Sequence, residues 1–410
     1  MSFNSKQLAS VFALLFLGVL IFLRYDASLS VSLDSPSYPF FGAVDFVEYW
    51  SASRLAEQEK NPYDPAQMLE VQSQVRPGAE PLMMWNPPWL LPLIAPLMQL
   101  DFPAAVHVWL TINLVLALVI PLLLGSSFQL SILERLLLIL LALTFPAFWF
   151  CAAHGQIGIM LTFFVTLAFC SLRHGYRFAA GLALSFLTIK AHLIYLVLLA
   201  LFCCEVRARK FTVLLGLLCG VGLQALSCEL IFPGLMSSWI RVMLHQSELI
   251  GAVPVTQWHT ATLPSALAAW AASAELQFWA RLAKLIPAFT ALICANHLLF
   301  SARRTSRLEI LFSILALSIF TAPFGWFFDQ SMLFPVCALI TVAAMRAGSL
   351  LQPMLCFYLL MIGWFGLYQM HQHHLAFWFP AGIVVLAWLA QPLARALWDE
   401  ESAVVLNHNR

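Results

Sequence analysis

Long apolar runs separated by short polar breaks dominate this chain, and one long polar stretch near the start interrupts them. A helix crosses a bilayer in ~17–25 residues. On that measure the pattern predicts spans at 8–23, 104–124, 133–150, 156–172, 178–189, 191–204, 210–232, 279–300, 308–324, 330–346, 352–369 and 376–398. The fifth and sixth are short and read together as a hairpin or broken pair with Lys190 at the turn. The first reads as an uncleaved signal anchor, since no small-residue cleavage site follows it. Between the first and second spans, 24–103 forms a long outer loop. Within it, Phe46 to about Glu57 predicts a short amphipathic helix. Trp89–Leu100, apolar but short and proline-rich, predicts an interfacial or re-entrant segment, tolerable only where protein covers its backbone. The expected fold class is all-α: one polytopic transmembrane domain over 1–410, with about 11–13 membrane segments and the 24–103 loop inserted in it.

Composition agrees. The 410 residues are 61% hydrophobic and 10% charged, against about 25% charged in a soluble domain. A net charge of +1 offers no basic face for nucleic acid. The nine cysteines lack metal-ligand spacing and read as small core residues. The positive-inside rule orients the chain with its amino terminus in the cytoplasm. Arg135, Arg173, Arg177, Arg207, Arg209, Lys210 and Arg346 then fall on the inner side. Asp45, Glu48, Gln156, Lys190, His259 and Asp329 fall at or near the outer face, so a site is expected there.

Carboxylates are scarce, and a charge kept near a bilayer is costly unless it is used or paired. Asp45, with Glu48 three residues on, fits an N-terminal capping box or a general base with its neighbour on the same helix face. Tyr49, Trp50, Tyr63, Trp85 and Trp89 surround that acid, as an interfacial aromatic belt or as a platform for a sugar ring or lipid headgroup. Asn61-Pro62-Tyr63-Asp64-Pro65 and Asn86-Pro87-Pro88 are turn chemistry. Lys190 either snorkels or meets an anionic phosphate, with His192 near it. Gln156 either sits in a tight turn or bonds a sugar hydroxyl. His259 and Asp329 complete the outer set, and the His371–His374 run reads as a solvated loop. No P-loop, dinucleotide fingerprint, HExxH or GxSxG stands in a convincing context, which argues against an ATPase, a redox enzyme, a zincin or a hydrolase.

In order along the chain come Asp45-Phe46-x-x-Tyr49-Trp50, Pro62-Tyr63, Pro87-Pro88, Gly155-Gln156, Gly181, Lys190 and the aromatic turn before Asp329. This succession resembles glycosyltransferase family 87, whose members are GT-C fold membrane enzymes including polyprenyl-phosphate-mannose-dependent α-mannosyltransferases. The resemblance implies a polyprenyl-phosphate sugar as donor and a glycan or glycolipid acceptor. It also implies a site on the non-cytoplasmic face of a bacterial inner membrane, with Asp45 as the essential acid. Two positions depart from the family pattern: Ala191 follows Lys190 where proline is usual, and Gly158 stands where asparagine is usual. The implied reaction is a hexose transfer, of mannose, by single displacement with inversion. Glu48, Tyr49, Trp50, Tyr63, Gln156, Lys190, His259 and Asp329 are the expected substrate contacts. No metal and no cofactor are expected, because polyprenyl phosphate leaves as a stabilised anion. The competing readings are a lipid-linked sugar flippase, which lacks the expected inverted repeat, and a membrane scaffold.

Overall fold

The computed structural model describes residues 45–78, 80–244, 260–300, 309–349, 355, 358 and 376–408. The expected span at 8–23 and nearly all of that at 352–369 lie outside them, as do His259 and the His371–His374 run. Every regular element among the described residues is helical. The polar loop holds α1 (Phe46–Glu57), α2 (Pro65–Gln72), a 3-10 turn at Pro88–Leu90 and α3 (Leu91–Met98). Next come α4 (Phe102–Ser127), α5 (Ile132–Thr144), α6 (Pro146–His154) and α7 (Gly158–Arg173). The short pair is α8 (Arg177–Ser185), a 3-10 stretch at Phe186–Leu193 and α9 (Tyr195–Ala208). Then follow α10 (Thr212–Ile231), α11 (Leu235–Leu244), α12 (Leu263–Ser273), α13 (Gln277–Ala283), α14 (Ile286–Phe300) and α15 (Glu309–Phe320). A 3-10 turn at Phe327–Leu333 leads into α16 (Phe334–Arg346), and α17 spans Trp378–His408.

Among the described residues four helical stretches are long and apolar enough to cross a membrane: Phe102–Ser127, Thr212–Ile231, Gln277–His297 and Phe327–Arg346. The pair α5 and α6, bent by 48°, makes a fifth. The bend falls where Pro146 forces Phe145 into an extended conformation (ψ 115°). The chain is an all-α polytopic membrane protein. The other expected spans among the described residues are shorter helices, or, in α17, a shorter apolar stretch (Trp378–Leu393) of a longer helix. At 1.5 Å per residue these apolar stretches cover less than a bilayer core of about 30 Å.

The two ends of the helices differ. Arg173 at the end of α7 donates to the Ser127 carbonyl at the end of α4 (2.7 Å). Arg135 donates to the Leu130 carbonyl (2.9 Å). Arg346, closing α16, pairs with Glu134 in the first turn of α5 (2.7 Å). Arg177, opening α8, pairs with Glu205 near the end of α9, and Glu205 also accepts the Val213 N–H at the start of α10 (2.9 Å). These bonds gather alternate helix ends into one arginine-rich layer. The Arg177–Glu205 pair also shows that the chain doubles back between α8 and α9, with Lys190 at the far tip. The expected hairpin is therefore present. The next helix, α10, returns parallel to α8 at very close approach. A Cβ on Gly181 would run into the Val213 carbonyl, and one on Gly216 into that of Phe178. Its outer side, with Leu215, Leu218, Leu223, Leu226 and Leu230, is exposed; in a membrane protein such a face meets lipid tails.

The opposite end carries α1. Its boundaries match the sequence expectation, but it is not amphipathic. Phe46, Val47, Tyr49, Trp50, Ser51, Ala52, Ser53, Leu55 and Ala56 are all buried. The small residues among them let neighbouring chain approach from several sides, so α1 is plugged into the protein rather than laid on its surface. The proline-rich α3 packs against it with Leu91, Ile94, Leu97 and Met98 buried. One face is thus covered by protein, while Leu93 and Pro96 on the other are exposed.

Candidate functional site

The two short turns that follow α6 and precede α16 bring the site together. Helix α6 stops at Gly155, which adopts the left-handed conformation (φ 71°) open to glycine. The Asp45 backbone N–H donates to the His154 carbonyl just before it (2.7 Å). Trp109 donates its indole N–H to the Gly155 carbonyl (2.9 Å). The turn is thus docked on both α1 and α4. Gln156 then reaches Asp45: its amide Nε2 donates to Asp45 Oδ2 at 2.9 Å, and its Oε1 accepts the Tyr49 hydroxyl at 2.8 Å. The Asn86 amide lies 3.5 Å from the same hydroxyl. Asp45 occupies the N-cap position of α1, yet its side chain makes no cap bond. The capping-box reading of Asp45 and Glu48 is therefore corrected, because the carboxylate is turned toward Gln156 instead.

On the facing wall the helical hairpin breaks at Lys190, whose backbone leaves helical geometry (φ −130°, ψ 55°). The break forms with Ala191 in the place where the family usually has proline. Lys190 Nζ donates to Asp329 Oδ1 at 2.7 Å, and both side chains are almost wholly buried. The ammonium also lies 4.8 Å from the centre of the Phe328 ring, a cation–π distance. Asp329 Oδ2 accepts the Trp326 backbone N–H (2.9 Å), which fixes the carboxylate at the mouth of the 3-10 turn. Gly158 allows that turn to approach. A Cβ there would lie 2.5 Å from Ser331 Oγ and 2.6 Å from the Phe328 carbonyl. The second departure from the family pattern thus has a packing reason: an asparagine would push the Asp329 turn off α7.

Between these walls lies a cavity of about 620 Å³. Glu48, Tyr49, Asn86, Gln156, Thr188, Lys190, His192 and Asp329 form its polar lining, and Trp85, Trp89, Trp239, Phe324, Trp326 and Phe328 its aromatic one. This is the size and mixed character of a small-molecule site. Burial, and secondarily the Asp45 charge, raises the Glu48 carboxyl to about 8. It is therefore neutral near pH 7 and presents a hydrogen-bond donor. Burial also raises the Tyr49 phenol well above its usual range, helped by the Glu48 and Asp45 carboxyls, so its hydroxyl keeps its proton.

The expected residues divide. Asp45, Glu48, Tyr49, Gln156, Lys190 and Asp329 come together at or beside the cavity. Trp50 and Tyr63 do not, and this corrects their expected place as substrate contacts. Trp50 is a core side chain: it packs edge-on to Phe102, lies under Arg54 and donates to the Leu100 carbonyl. Tyr63 is buried in its own turn, where Asn61 makes the expected turn bond and Asp64 caps the helix that follows. Trp85 and Trp89 do line the cavity. Trp239, set edge-to-face on Trp89 at 5.4 Å, was not legible in the sequence. Its helix mixes Ser237, Ser238 and Arg241 with apolar residues, and nothing local in that pattern points to the cavity.

A family model described as glycosyltransferase family 87 matches residues 85–323, more than half of the chain. The match includes Gln156 and Lys190, begins after the acidic segment and ends before Asp329. No curated protein and no solved structure matches the chain. The chain belongs to glycosyltransferase family 87 and is a membrane glycosyltransferase.

Proposed function

We propose that this family 87 glycosyltransferase moves a hexose, mannose, from a polyprenyl-phosphate sugar to a hydroxyl of a glycan or glycolipid, with Asp45 as the base. The observation that carries the reading is that the Asp45 carboxylate is held by a neutral amide rather than by a cation, and that the amide's residue, Gln156, lines one cavity with Lys190. A carboxylate so held keeps its charge available for a proton. The two carboxyls beside each other on α1 have different states. Glu48 is neutral near pH 7 and donates a hydrogen bond, which leaves the proton-accepting task to Asp45.

In the proposed step Asp45 removes the acceptor hydroxyl proton as that oxygen bonds to the sugar's anomeric carbon. The bond from that carbon to the phosphate oxygen breaks, and its electron pair leaves with the phosphate. The donor phosphodiester carries one negative charge and the departing phosphate two, so charge grows at the phosphate. Lys190 is the cation at the cavity that meets it. One of its three N–H donors is used by Asp329, and the others remain to face phosphate. Attack opposite the leaving group inverts the anomeric centre, so a β-linked donor gives an α-linked product. The phosphate is already a good leaving group, so the scheme uses one carboxylate base and no cofactor. The GT-C type of fold fits this scheme. We place the cavity end outside the cytoplasm and the arginine layer inside, following the positive-inside rule, in a bacterial inner membrane.

The test is sugar transfer in membranes from labelled polyprenyl-phosphate mannose, glucose and galactose, comparing wild type with Asp45→Asn at matched expression. Wild type transfers mannose, and Asp45→Asn lowers transfer by ~10²–10⁴-fold, the range of general-base catalysis. Equal transfer by both proteins removes Asp45 from the mechanism.

A further inference from the structure

Both ends of the Gln156 side chain are engaged by protein, with one Nε2 N–H and one Oε1 lone pair left over. Its Nε2 is engaged by Asp45 Oδ2 (2.9 Å) and its Oε1 by the Tyr49 hydroxyl (2.8 Å), and the side chain is buried. We propose that Gln156 is a positioning residue that holds the Asp45 carboxylate for proton transfer. The inference rests on Asp45 acting as the base.

The chemistry of the partners fixes the orientation of the amide. An ionised carboxylate only accepts hydrogen bonds, so it must face the NH₂ group. The Tyr49 phenol keeps its proton and donates to the amide oxygen. A side chain of this length with one donor end and one acceptor end satisfies both partners; a glutamate in its place would set two carboxylates face to face. The mount is rigid as well. The Gln156 N–H donates to the Cys151 carbonyl (2.9 Å), and the Cys151 thiol donates to the Gln156 carbonyl (3.3 Å). The same turn holds Asp45 twice, through the backbone bond to His154 and the side-chain bond to Gln156. Since Asp45 does not cap α1, the Gln156 bond sets where its carboxylate points. Gln156 takes Oδ2, which leaves Oδ1 to receive the acceptor proton. Misplacing a reacting group by 1 Å costs about 10²-fold in rate.

The experiment uses the full chain in proteoliposomes and measures transfer from labelled polyprenyl-phosphate mannose, with the glucose and galactose donors in parallel. Kinetic constants are compared for wild type, Gln156→Leu and Tyr49→Phe, and for the two substitutions added to Asp45→Asn. Gln156→Leu is expected to lower kcat ~10–100-fold, with KM for donor and acceptor held within about twofold. Tyr49→Phe frees one end of the amide and lowers kcat by a few-fold. On the Asp45→Asn background neither substitution costs further rate, because there is no carboxylate left to hold. A raised KM with kcat intact makes Gln156 a substrate contact and overturns the proposal. So do unchanged constants, or full additivity with Asp45→Asn. If Gln156→Leu fails to fold, Tyr49→Phe carries the same requirement: loss in kcat alone, absent without Asp45. Wild-type rates in Asp45→Asn overturn the base itself and this inference with it, as does a wild type silent with all three donors.

Discussion

The arginine layer and the cavity end use the same kinds of residue and reach opposite results. At the arginine layer each buried acid is tied to an arginine and to backbone. Glu134 accepts from Arg346 and from the Ser131 N–H; Glu205 accepts from Arg177 and from the Val213 N–H. The small cleft nearest that layer is apolar, lined by Leu124, Phe128, Leu130 and Leu138 among others, with room for about 10 Å³. At the other end Glu48 and Asp329 line a space of about 620 Å³, Asp45 is bonded to the lining Gln156, and each of the three carboxyls is treated differently. Asp329 is tied to a cation, Asp45 to a neutral amide, and Glu48 is pushed toward its neutral form. An arginine pinned to a carboxylate locks a helix end and spends the charge. A carboxylate held by an amide keeps both its place and its charge. The count of acids would not have separated the two regions; what each acid is bonded to does.

That contrast breaks most sharply at Lys190. Lys190→Met leaves Asp329 buried and unpaired, which costs ~3–5 kcal/mol of stability for a buried pair. Transfer falls too, since the leaving phosphate loses its cation. The double variant Lys190→Met with Asp329→Asn removes the stranded charge and is expected to recover most of the stability in a thermal melt. Transfer stays low. If transfer returns with stability, Lys190 is a structural partner like the arginines of the opposite layer.

The arginine layer offers the reverse experiment. Glu205→Leu leaves the Val213 N–H without its acceptor, and Arg177, which is partly exposed, without its pair. The expected cost is ~1–3 kcal/mol, the penalty for stranding buried donors. Turnover per folded molecule should not change. A lowered kcat with unaltered melting would show that the two ends are not separate in function.

How much of this was legible follows from what sequence spacing can encode. Helix α1 began and ended where its pattern placed it, and Lys190 stood at the break of the short pair. Both are local features. The pairings that make the site join residues 107, 111 and 139 positions apart. Nothing within a helical period says that Gln156 meets Asp45 rather than a ligand. Trp50 and Tyr63 failed for the same reason. An aromatic beside an acid reads alike whether it faces a cavity or Phe102, and the choice is made by which helices close over α1. The Gly158 departure was visible but had no meaning until the Phe328 carbonyl was seen against it.

Glu48 supplies the finest division between the ends, because burial brings its titration near neutral pH. Its carboxyl is raised from 4.5 to about 8 by burial first and by Asp45 second, against smaller lowering effects from Tyr49 and Lys190. The folded protein therefore binds a proton there that the unfolded chain has already lost. Stability from this group is fully present below about 4.5 and is lost as pH rises through about 8. Asp45 and Tyr49 beside it, and Lys190, His192 and Asp329 on the facing wall of the cavity, are the other charged or titratable groups around it. The effect is on the order of 1 kcal/mol, since the half-buried side chain keeps some solvent screening. Melting temperature should fall between about pH 5 and pH 9 in wild type and fall less in Glu48→Gln, which carries the neutral form at every pH. The amide also keeps a donor toward the cavity, so transfer near pH 7 should drop only a few-fold, far less than in Asp45→Asn. Parallel melting curves for the two proteins would mean that Glu48 titrates like an exposed acid. An equal loss of transfer in Glu48→Gln and Asp45→Asn would mean that the two carboxyls share the base's task.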